Sequence, residues 1–381
     1  MTSSQHQLFY HANCVDGFHA ANKFINNFKE SLIYTPIGYG DMDELVKGSI
    51  IETGVHTLWF VDFTPEVNTL IKLMDKGFHV IVIDHHMTAI EAIHQLSCDE
   101  DTCHLIKDGK LIYILSEVGF SGSSLVAALD GYINRIDEYP LQEHRIIRAY
   151  AGDNVECTVH TNLSYLELDR LVLMDVDLLI ETYDLWITNS PLFERAQYLH
   201  TYLQHINILK TDPRIGVQHR IAIINAAKQS IYADRNHINY AIMQGEAMFK
   251  AKYDIARTLY HDMRQFPIPL ENGKHIFVSI GNIPDRFGTM LGFVSADLSE
   301  LDHWVTIGIQ HDYRRNRTVL ELRSDPGTKV RAVAEALGGG GHDCAGGVTY
   351  KTMRTNQDDL LCDIIDALIN LEGLSKDITH A

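Results

Sequence analysis

Short runs of apolar and β-branched residues recur through the first 120 residues, and they alternate with segments of helical spacing. Three of these runs, at residues 7–11, 58–62 and 80–84, end on a histidine or an aspartate. Runs of this length are typical of buried strands, and their alternation with helices predicts a parallel sheet. The pattern therefore predicts an α/β protein with an N-terminal, doubly wound parallel-sheet domain.

The pattern changes twice in the second half of the chain. Between about residues 191 and 266 the apolar residues recur mostly at steps of three and four, which predicts at least two helices. After Pro267, the pair Asn272-Gly273 between two apolar runs predicts a β-hairpin. We therefore predict an N-terminal domain over 1–208, a helical connector over 209–265 and a smaller C-terminal α/β domain over 266–381.

Charge and composition narrow the range of partners. The chain has 381 residues and a net charge of −18, so it should repel long polyanions, and a long nucleic acid is not an expected partner. No apolar run is long enough to span a membrane, and the first residues lack the features of a signal peptide. The six cysteines follow no disulfide framework, which fits reduced thiols. We expect a cytoplasmic protein without a membrane partner, and a homodimer is left open.

The polar residues that end the predicted strands are the candidates for chemistry. Parallel strands joined by helices place their carboxyl ends along one edge of the sheet, where ligands bind in open α/β proteins. Taken alone, Asp16 and Asp62 have a simpler interpretation as helix N-caps. Carboxylates and imidazoles together suit Mn²⁺ or a similar divalent ion better than a thiolate-bound zinc. Six residues are expected to converge at this edge, namely His11, Asp16, Asp62, Asp84, His85 and His86.

These residues also fall into three motifs. They are His11-x-Asn-Cys-x-Asp16-Gly, the strand-end Asp62, and Asp84-His-His86 with the following Thr-Ala. In this order they resemble the first three motifs of the DHH phosphoesterase superfamily, and within it the branch of nano-RNases and cyclic-nucleotide phosphodiesterases. The resemblance implies a pair of manganese ions held by His11, Asp16, Asp62 and His85, with Asp84 in the same cluster and His86 facing the scissile phosphate.

Two aspartates are candidates for the acid of a fourth motif. Asp184 begins an Asp-Leu-Trp stretch that resembles the end of the catalytic domain in this branch, whereas Asp153 follows a glycine in a predicted turn. We prefer Asp184 because the residues after it match as well, and Asp153 stays open as the ligand. The first motif departs from the commoner pattern, since Phe18 follows Asp16-Gly17 where many members carry a second aspartate. This departure implies fewer carboxylates for one of the two ions.

Two glycine-containing stretches could contact phosphate. The Ser/Gly stretch at 119–124 opens a predicted helix, and N-capping is favoured there over a phosphate cradle. Four glycines at 338–341 follow another predicted helix, although one glycine is enough to end it. Glycine amides can approach a phosphate closely, and His342 adds a donor or cation, so a phosphate contact is favoured here over a merely flexible loop.

The second glycine stretch has a counterpart in the same superfamily. Together with Leu322-Arg323-Ser324, it resembles the C-terminal DHH-associated domain. The resemblance implies that this domain holds the substrate against the metal site of the first domain. The residues implied in substrate binding are Arg323, Ser324, Gly339, Gly340, Gly341 and His342.

The two resemblances together imply a metal-dependent phosphodiesterase that hydrolyses short oligonucleotides or dinucleotides to mononucleotides. Its cofactors would be two divalent ions, Mn²⁺ by resemblance, which activate water and polarise the phosphodiester. Hydrolysis of a cyclic mono- or dinucleotide by the same centre is an alternative. A protein of a different class, which sequesters a nucleotide at a weakened metal site, is the other alternative.

Overall fold

The chain divides into two compact units, Met1–Met248 and Phe249–Ala381, in a computed structural model. The boundary lies within one long helix, and the three-part division over 1–208, 209–265 and 266–381 stays a prediction. The structure describes residues 5–12, 14–28, 31–129, 133, 144–150, 153–161, 175–205, 235–269, 275–284, 287–299, 303–313 and 316–370.

A seven-stranded sheet forms the centre of the first unit. Its strands are β1 (His6–His11), β2 (Leu32–Ile37), β3 (Thr57–Val61), β4 (His79–Asp84), β5 (Leu111–Val118), β6 (His144–Tyr150) and β7 (Asp153–Thr161). The strand order is β2-β1-β3-β4-β5-β7-β6. The first five strands in this order are parallel, whereas β7 is antiparallel to both β5 and β6.

Helices cover both faces of this sheet. They are α1 (Val15–Asn27), α2 (Met42–Lys47), α3 (Val67–Asp75), α4 (Met87–Cys98), α5 (Cys103–Lys107), α6 (Gly122–Ala128), α7 (Asp175–Asp184) and α8 (Phe193–His205). Successive strand residues face opposite sides, so Leu8 and Tyr10 pack in a core with α1, α6, α7 and α8. Phe9 packs on the other side in a core with α2 to α5. The predicted doubly wound parallel sheet is therefore confirmed.

The chain reverses its direction across the sheet between β1 and β3. From β1 it continues to β2 on one side, and from β2 it crosses back to β3 and then proceeds to β4 and β5 on the other. Where the connections that follow two adjacent strands run to opposite sides, a crevice forms at the carboxyl ends of these strands. Ligands of such folds bind in this crevice. His11 ends β1 and Asp62 follows β3, so both lie at this crevice.

The second unit is a smaller α/β unit with a mixed, six-stranded sheet. Its strands are β8 (Arg264–Pro269), β9 (His275–Asn282), β10 (Trp304–Asp312), β11 (Arg317–Ser324), β12 (Gly340–His342) and β13 (Ala345–Tyr350). Its order is β12-β13-β11-β10-β9-β8, in which only β9 and β10 pair in parallel. The helices are α9 (Arg235–Asp262), which begins in the first unit, α10 (Gly288–Leu298), α11 (Val330–Ala336) and α12 (Gln357–Asn370). The predicted second α/β region is confirmed.

Two further predictions are tested in part. The antiparallel pairing of β8 with β9 agrees with the predicted hairpin, whereas its Asn272-Gly273 turn lies outside the described residues. The long helix α9 lies in the stretch predicted to be helical, and residues 206–234 of that stretch are not described. Among the described residues, no helix combines the length and apolar character needed to cross a bilayer.

Candidate metal centre

Seven imidazole and carboxylate side chains meet at the carboxyl edge of the parallel strands. They come from the ends of β1, β3 and β4, from the first turn of α1 and from the last residue of α7. The seven residues are His11, Asp16, Asp62, Asp84, His85, His86 and Asp184. The structure therefore brings together every predicted residue of the N-terminal site, and their roles as ligands stay predictions.

Asp62 occupies the middle of this cluster. Its Oδ1 lies 3.1 Å from Nε2 of His85, and its Oδ2 lies 3.8 Å from Nδ1 of His11. The residue is fully buried, and its φ of 52° lies in the left-handed region that non-glycine residues adopt rarely and often at functional sites. Each oxygen of one carboxylate thus faces a different imidazole.

Asp84 orients the second histidine of the Asp-His-His motif. Its Oδ1 lies 2.7 Å from Nδ1 of His86 and accepts the backbone N–H of His85 at 2.7 Å. The hydroxyl of Thr64 donates to Oδ2 of Asp84 at 2.6 Å. Because both oxygens of this buried carboxylate accept hydrogen bonds, the carboxylate fixes the orientation of the His86 ring.

Ser121 and Ser123 hold Asp16 in place from the start of α6. The Ser121 hydroxyl donates to Oδ1 of Asp16 at 2.7 Å, and both the hydroxyl and the N–H of Ser123 donate to the same carboxylate. Ser121 also caps α6 by accepting the N–H of Ser124. The predicted N-cap is confirmed, and the same stretch has a second role in fixing a carboxylate of the centre.

Two glycines allow the acidic groups to approach each other. A Cβ at Gly122 would lie 2.6 Å from Cβ of Asp62 and 2.9 Å from Oδ2 of Asp16. A Cβ at Gly17 would lie 2.7 Å from Cβ of His11 and 2.9 Å from Oδ2 of Asp62. A larger residue at position 122 would therefore press on both Asp62 and Asp16, and one at position 17 would press on His11 and Asp62.

Asp184 joins the cluster from α7. Its Oδ2 lies 3.3 Å from Nε2 of His85, and single donor atoms of Asp16, His85 and Asp184 all lie within 4.8 Å of one another. The other fourth-motif candidate, Asp153, is the first residue of β7, and its side chain lies outside the described residues. The choice between the two as the ligand stays a prediction.

The crowded charges shift the pKa values of the centre in opposite directions. Burial raises the pKa of Asp16 well above its ordinary value and that of Asp184 to about 6. Burial opposes the charged forms of Asp62 and His85 as well, but their mutual attraction and the neighbouring groups outweigh it. The pKa of Asp62 is therefore lowered, and that of His85 is raised to about 10. The positive charge on His85 thus offsets part of the negative charge of the carboxylates around it.

The donor atoms fit divalent metal ions. The Oδ2 atoms of Asp62 and Asp184 are buried and accept no hydrogen bond from a described residue, which is costly for carboxylates unless a cation binds them. Three groups of residues each place one donor atom per residue within 4.8 Å of the others: Asp62-Asp84-His85-His86, His11-Cys14-Asp62 and Asp16-His85-Asp184.

Several residues at the centre were not predicted as part of it. Thr64 and Ser123 bond to its carboxylates, and Gly122 gives them room. Cys14 was interpreted only as a reduced thiol. A signal for the serines existed, because the Ser/Gly stretch directly follows β5 and so lies at the same edge as the other strand ends.

In the second unit, Arg323 lies near the first turn of α10. Its guanidinium donates to the hydroxyl of Thr289 at 3.2 Å and lies 3.7 Å from Glu321, and its side chain is 21% exposed. Ser324 is buried, and its hydroxyl donates to the carbonyl of Thr328. The hydroxyl of Ser324 thus has a structural role in its loop, and substrate binding by both residues stays a prediction.

The four glycines after α11 lie in a tight backbone arrangement. Gly338 has a φ of 80°, and the N–H of Gly339 returns to the helix at Ala334. Gly340, Gly341 and the exposed His342 form β12, which pairs with β13, and a Cβ at Gly341 would lie 2.3 Å from the carbonyl oxygen of Ala345. Close strand packing thus accounts for part of the glycine requirement, and the predicted phosphate contacts of these residues stay predictions.

Comparison with solved structures gives distant likenesses. A pGpG-specific phosphodiesterase from Vibrio cholerae is 10% identical with a TM-score of 0.35, over 95% of this chain and 98% of that chain. CDC45 from Entamoeba histolytica is 11% identical with a TM-score of 0.40, over 99% of this chain and 95% of that chain. An uncharacterized protein from Helicobacter pylori is 11% identical with a TM-score of 0.36, over 96% of this chain and 99% of that chain. Neither protein-family models nor curated proteins give a match. Likenesses this weak support no conclusion about function.

Proposed function

We propose that the first unit is a metal-dependent phosphodiesterase that hydrolyses dinucleotides or short oligonucleotides to mononucleotides. The observation that carries this proposal is the convergence of seven carboxylate and imidazole side chains around Asp62, whose Oδ2 is buried and accepts no hydrogen bond from the described part of the chain. The motifs that deliver these side chains resemble those of the DHH phosphoesterases, which supports a phosphodiester as the substrate.

Two Mn²⁺ ions are proposed as the cofactors. Asp62 would contact both ions, because its two oxygens face different imidazoles. His11 would belong to one position, and Asp16, His85 and Asp184 would belong to the other. Oxygen and nitrogen donors of this kind suit Mn²⁺. When bound, the ions would lower the pKa of a water molecule and polarise the phosphodiester.

His86 is proposed to contact the substrate phosphate. Since Asp84 binds Nδ1 of His86, the opposite edge of the ring, which carries Nε2, points away from Asp84. The His86 side chain is 19% exposed, whereas Asp62 and Asp84 are fully buried. With Nδ1–H bonded to Asp84, the ring in its protonated imidazolium form can donate Nε2–H to a phosphate oxygen that gains negative charge during hydrolysis.

The charge of the protein supports a short substrate. A net charge of −18 disfavours long nucleic acids, because each additional phosphate adds repulsion. In the second unit, Arg323 is proposed to bind a substrate phosphate, since its guanidinium is partly exposed and is oriented by Thr289. By the resemblance, His342 and glycines 339–341 are proposed to contribute to the same binding function.

A substrate panel tests the proposal. The purified chain is incubated with Mn²⁺ and dinucleotides, oligonucleotides of increasing length, or cyclic mono- and dinucleotides, and the products are resolved by chromatography. We expect mononucleotides from dinucleotides, slower release from longer chains and no product with a chelator. Hydrolysis of cyclic nucleotides alone would support the alternative substrate class. A ligand-dependent rise in melting temperature without any product would instead indicate a nucleotide-binding protein.

A further inference from the structure

Cys14 lies beside the metal centre, between β1 and α1. Its Sγ accepts the N–H of Gly17 at 3.5 Å, and the residue is the N-cap of α1. Single donor atoms of His11, Cys14 and Asp62 all lie within 4.8 Å of one another. The thiol is therefore within reach of two groups that are proposed to hold an ion.

The carboxylate next to this thiol provides a second, independent observation. Oδ2 of Asp62 is buried and accepts no hydrogen bond from a described residue, and it lies 3.8 Å from Nδ1 of His11. Two ligands that are each about 2.1 Å from one ion can lie this far apart. These two atoms are thus spaced as ligands of a single ion, and Cys14 offers the third donor.

We propose that Cys14 is a metal ligand, and that His11, Cys14 and Asp62 form a position for a thiophilic divalent ion such as Zn²⁺ or Co²⁺. This inference rests on the metal centre of the proposed function, and it changes the ion at one of the two positions. Sulfur is a soft donor that favours Zn²⁺ over Mn²⁺, whereas Asp16, His85 and Asp184 offer only oxygen and nitrogen. The centre would then hold two chemically different ions.

Helix capping alone is a weak reason for a cysteine at this position. Serine, threonine, aspartate and asparagine are the preferred N-caps, and sulfur is a poor hydrogen-bond acceptor. A thiol becomes a strong ligand only as the thiolate, so the Sγ–H proton of Cys14 leaves to solvent as the sulfur–metal bond forms. Serine at position 14 would keep the cap and remove the soft donor, which separates the two roles.

Cobalt binding to the metal-free full-length protein tests the inference. A thiolate ligand gives Co²⁺ a charge-transfer absorption in the near ultraviolet, which we expect for the wild type and not for Cys14→Ser. Cys103→Ser is the matched control, because Cys103 is also a partly buried thiol of the first unit but lies on α5, outside the cluster. It should keep the absorption. Thermal melting should show that both variants remain folded.

Competition between Zn²⁺ and Mn²⁺, followed by metal analysis, gives a second readout. Loss of outer-shell groups weakens metal binding about 10- to 100-fold, so loss of a ligand in Cys14→Ser should weaken Zn²⁺ binding by about 100-fold or more. Cys14→Asp should restore binding with a preference shifted toward Mn²⁺, because it replaces sulfur by oxygen. Unchanged Zn²⁺ affinity in a folded Cys14→Ser protein would overturn the inference.

The outcome for Cys14 can be separated from that of the proposed function. Co²⁺ binding without the thiolate absorption, in a protein that hydrolyses dinucleotides, would remove Cys14 from the centre and leave the phosphodiesterase intact. The thiolate absorption in a protein that hydrolyses no phosphodiester would support the ligand role and contradict the proposed function.

Discussion

Nε2 of His19 lies 2.7 Å from Oδ1 of Asp177, in a buried contact between α1 and α7. Lys23 donates to the other oxygen of the same carboxylate at 2.9 Å. His19 follows Asp16 by three residues, and Asp177 precedes Asp184 by seven, so each pair shares one face of its helix. The contact therefore fixes the two helices that deliver Asp16 and Asp184 to the metal centre.

Asp177→Asn should lower the free energy of unfolding by about 2 to 3 kcal/mol at pH 7. Burial opposes the ionised carboxylate, but His19 and Lys23 nevertheless lower the pKa of Asp177 to about 2. Urea unfolding measures the loss. Asp175→Asn is the matched control on the same helix, since its pair with Arg235 is solvent-exposed and should contribute no more than about 1 kcal/mol. Equal losses in both variants would contradict the interpretation.

The stabilisation by Asp177 should disappear at low pH. An unfolded aspartate has a pKa of about 3.9, so on acidification the unfolded chain takes up this proton before the folded protein does. The free energy that the carboxylate contributes is fully present above about pH 5 and is lost as the pH falls through 4 toward 2. The difference between wild type and Asp177→Asn, measured by urea unfolding at each pH, should shrink over this range. A constant difference from pH 7 to pH 3 would be inconsistent with a carboxylate that His19 and Lys23 keep ionised in the folded protein.

His85→Ala should abolish turnover and reduce the bound metal. His85 contacts both Asp62 and Asp184 through Nε2, so its removal takes one ligand from the centre. Metal analysis after dialysis, together with a dinucleotide hydrolysis assay, checks both effects. His94→Ala serves as the control, because His94 is an exposed histidine on the adjacent helix α4. Equal metal content in His85→Ala and wild type would exclude His85 as a ligand.

Gly122→Ala should reduce activity and metal binding and destabilise the protein by about 1 to 3 kcal/mol. The added methyl group would overlap with Asp62 and press on Asp16, and both are buried. Gly40→Ala is the control, since a Cβ at that glycine meets no atom within 4 Å. Full activity and metal content in Gly122→Ala would mean that the carboxylates need not be this close.

The strand ends could be predicted because each is a short apolar run that stops at a polar residue. The rules for parallel strands then place His11, Asp62 and Asp84 at one edge without any knowledge of their contacts. Asp184 required a different signal, since it ends a helix rather than a strand. Only its resemblance to a family motif placed it in the site.

Contacts between distant side chains could not be predicted from local patterns. His19 and Asp177 are 158 positions apart, and the serines that hold Asp16 are more than 100 positions from it. No periodicity relates such residues, because only the packing of α1 against α6 and α7 brings them together. The glycines at 338–341 show that a local pattern can also mislead. Such a run suggests a loop, but Gly340 and Gly341 pair with β13 as part of a β-hairpin, and Gly341 packs closely against it.

Hydrolysis of a dinucleotide by wild type and by Asp62→Asn, with bound metal measured on the same samples, tests the metal centre most directly. Asparagine keeps the shape of the side chain but removes the charge from the residue that faces both His11 and His85. We predict metal-dependent hydrolysis by wild type, and a loss of bound metal in Asp62→Asn with a fall in kcat/KM of about 1000-fold or more. Retention of both metal and activity by a folded Asp62→Asn protein would contradict the proposed centre.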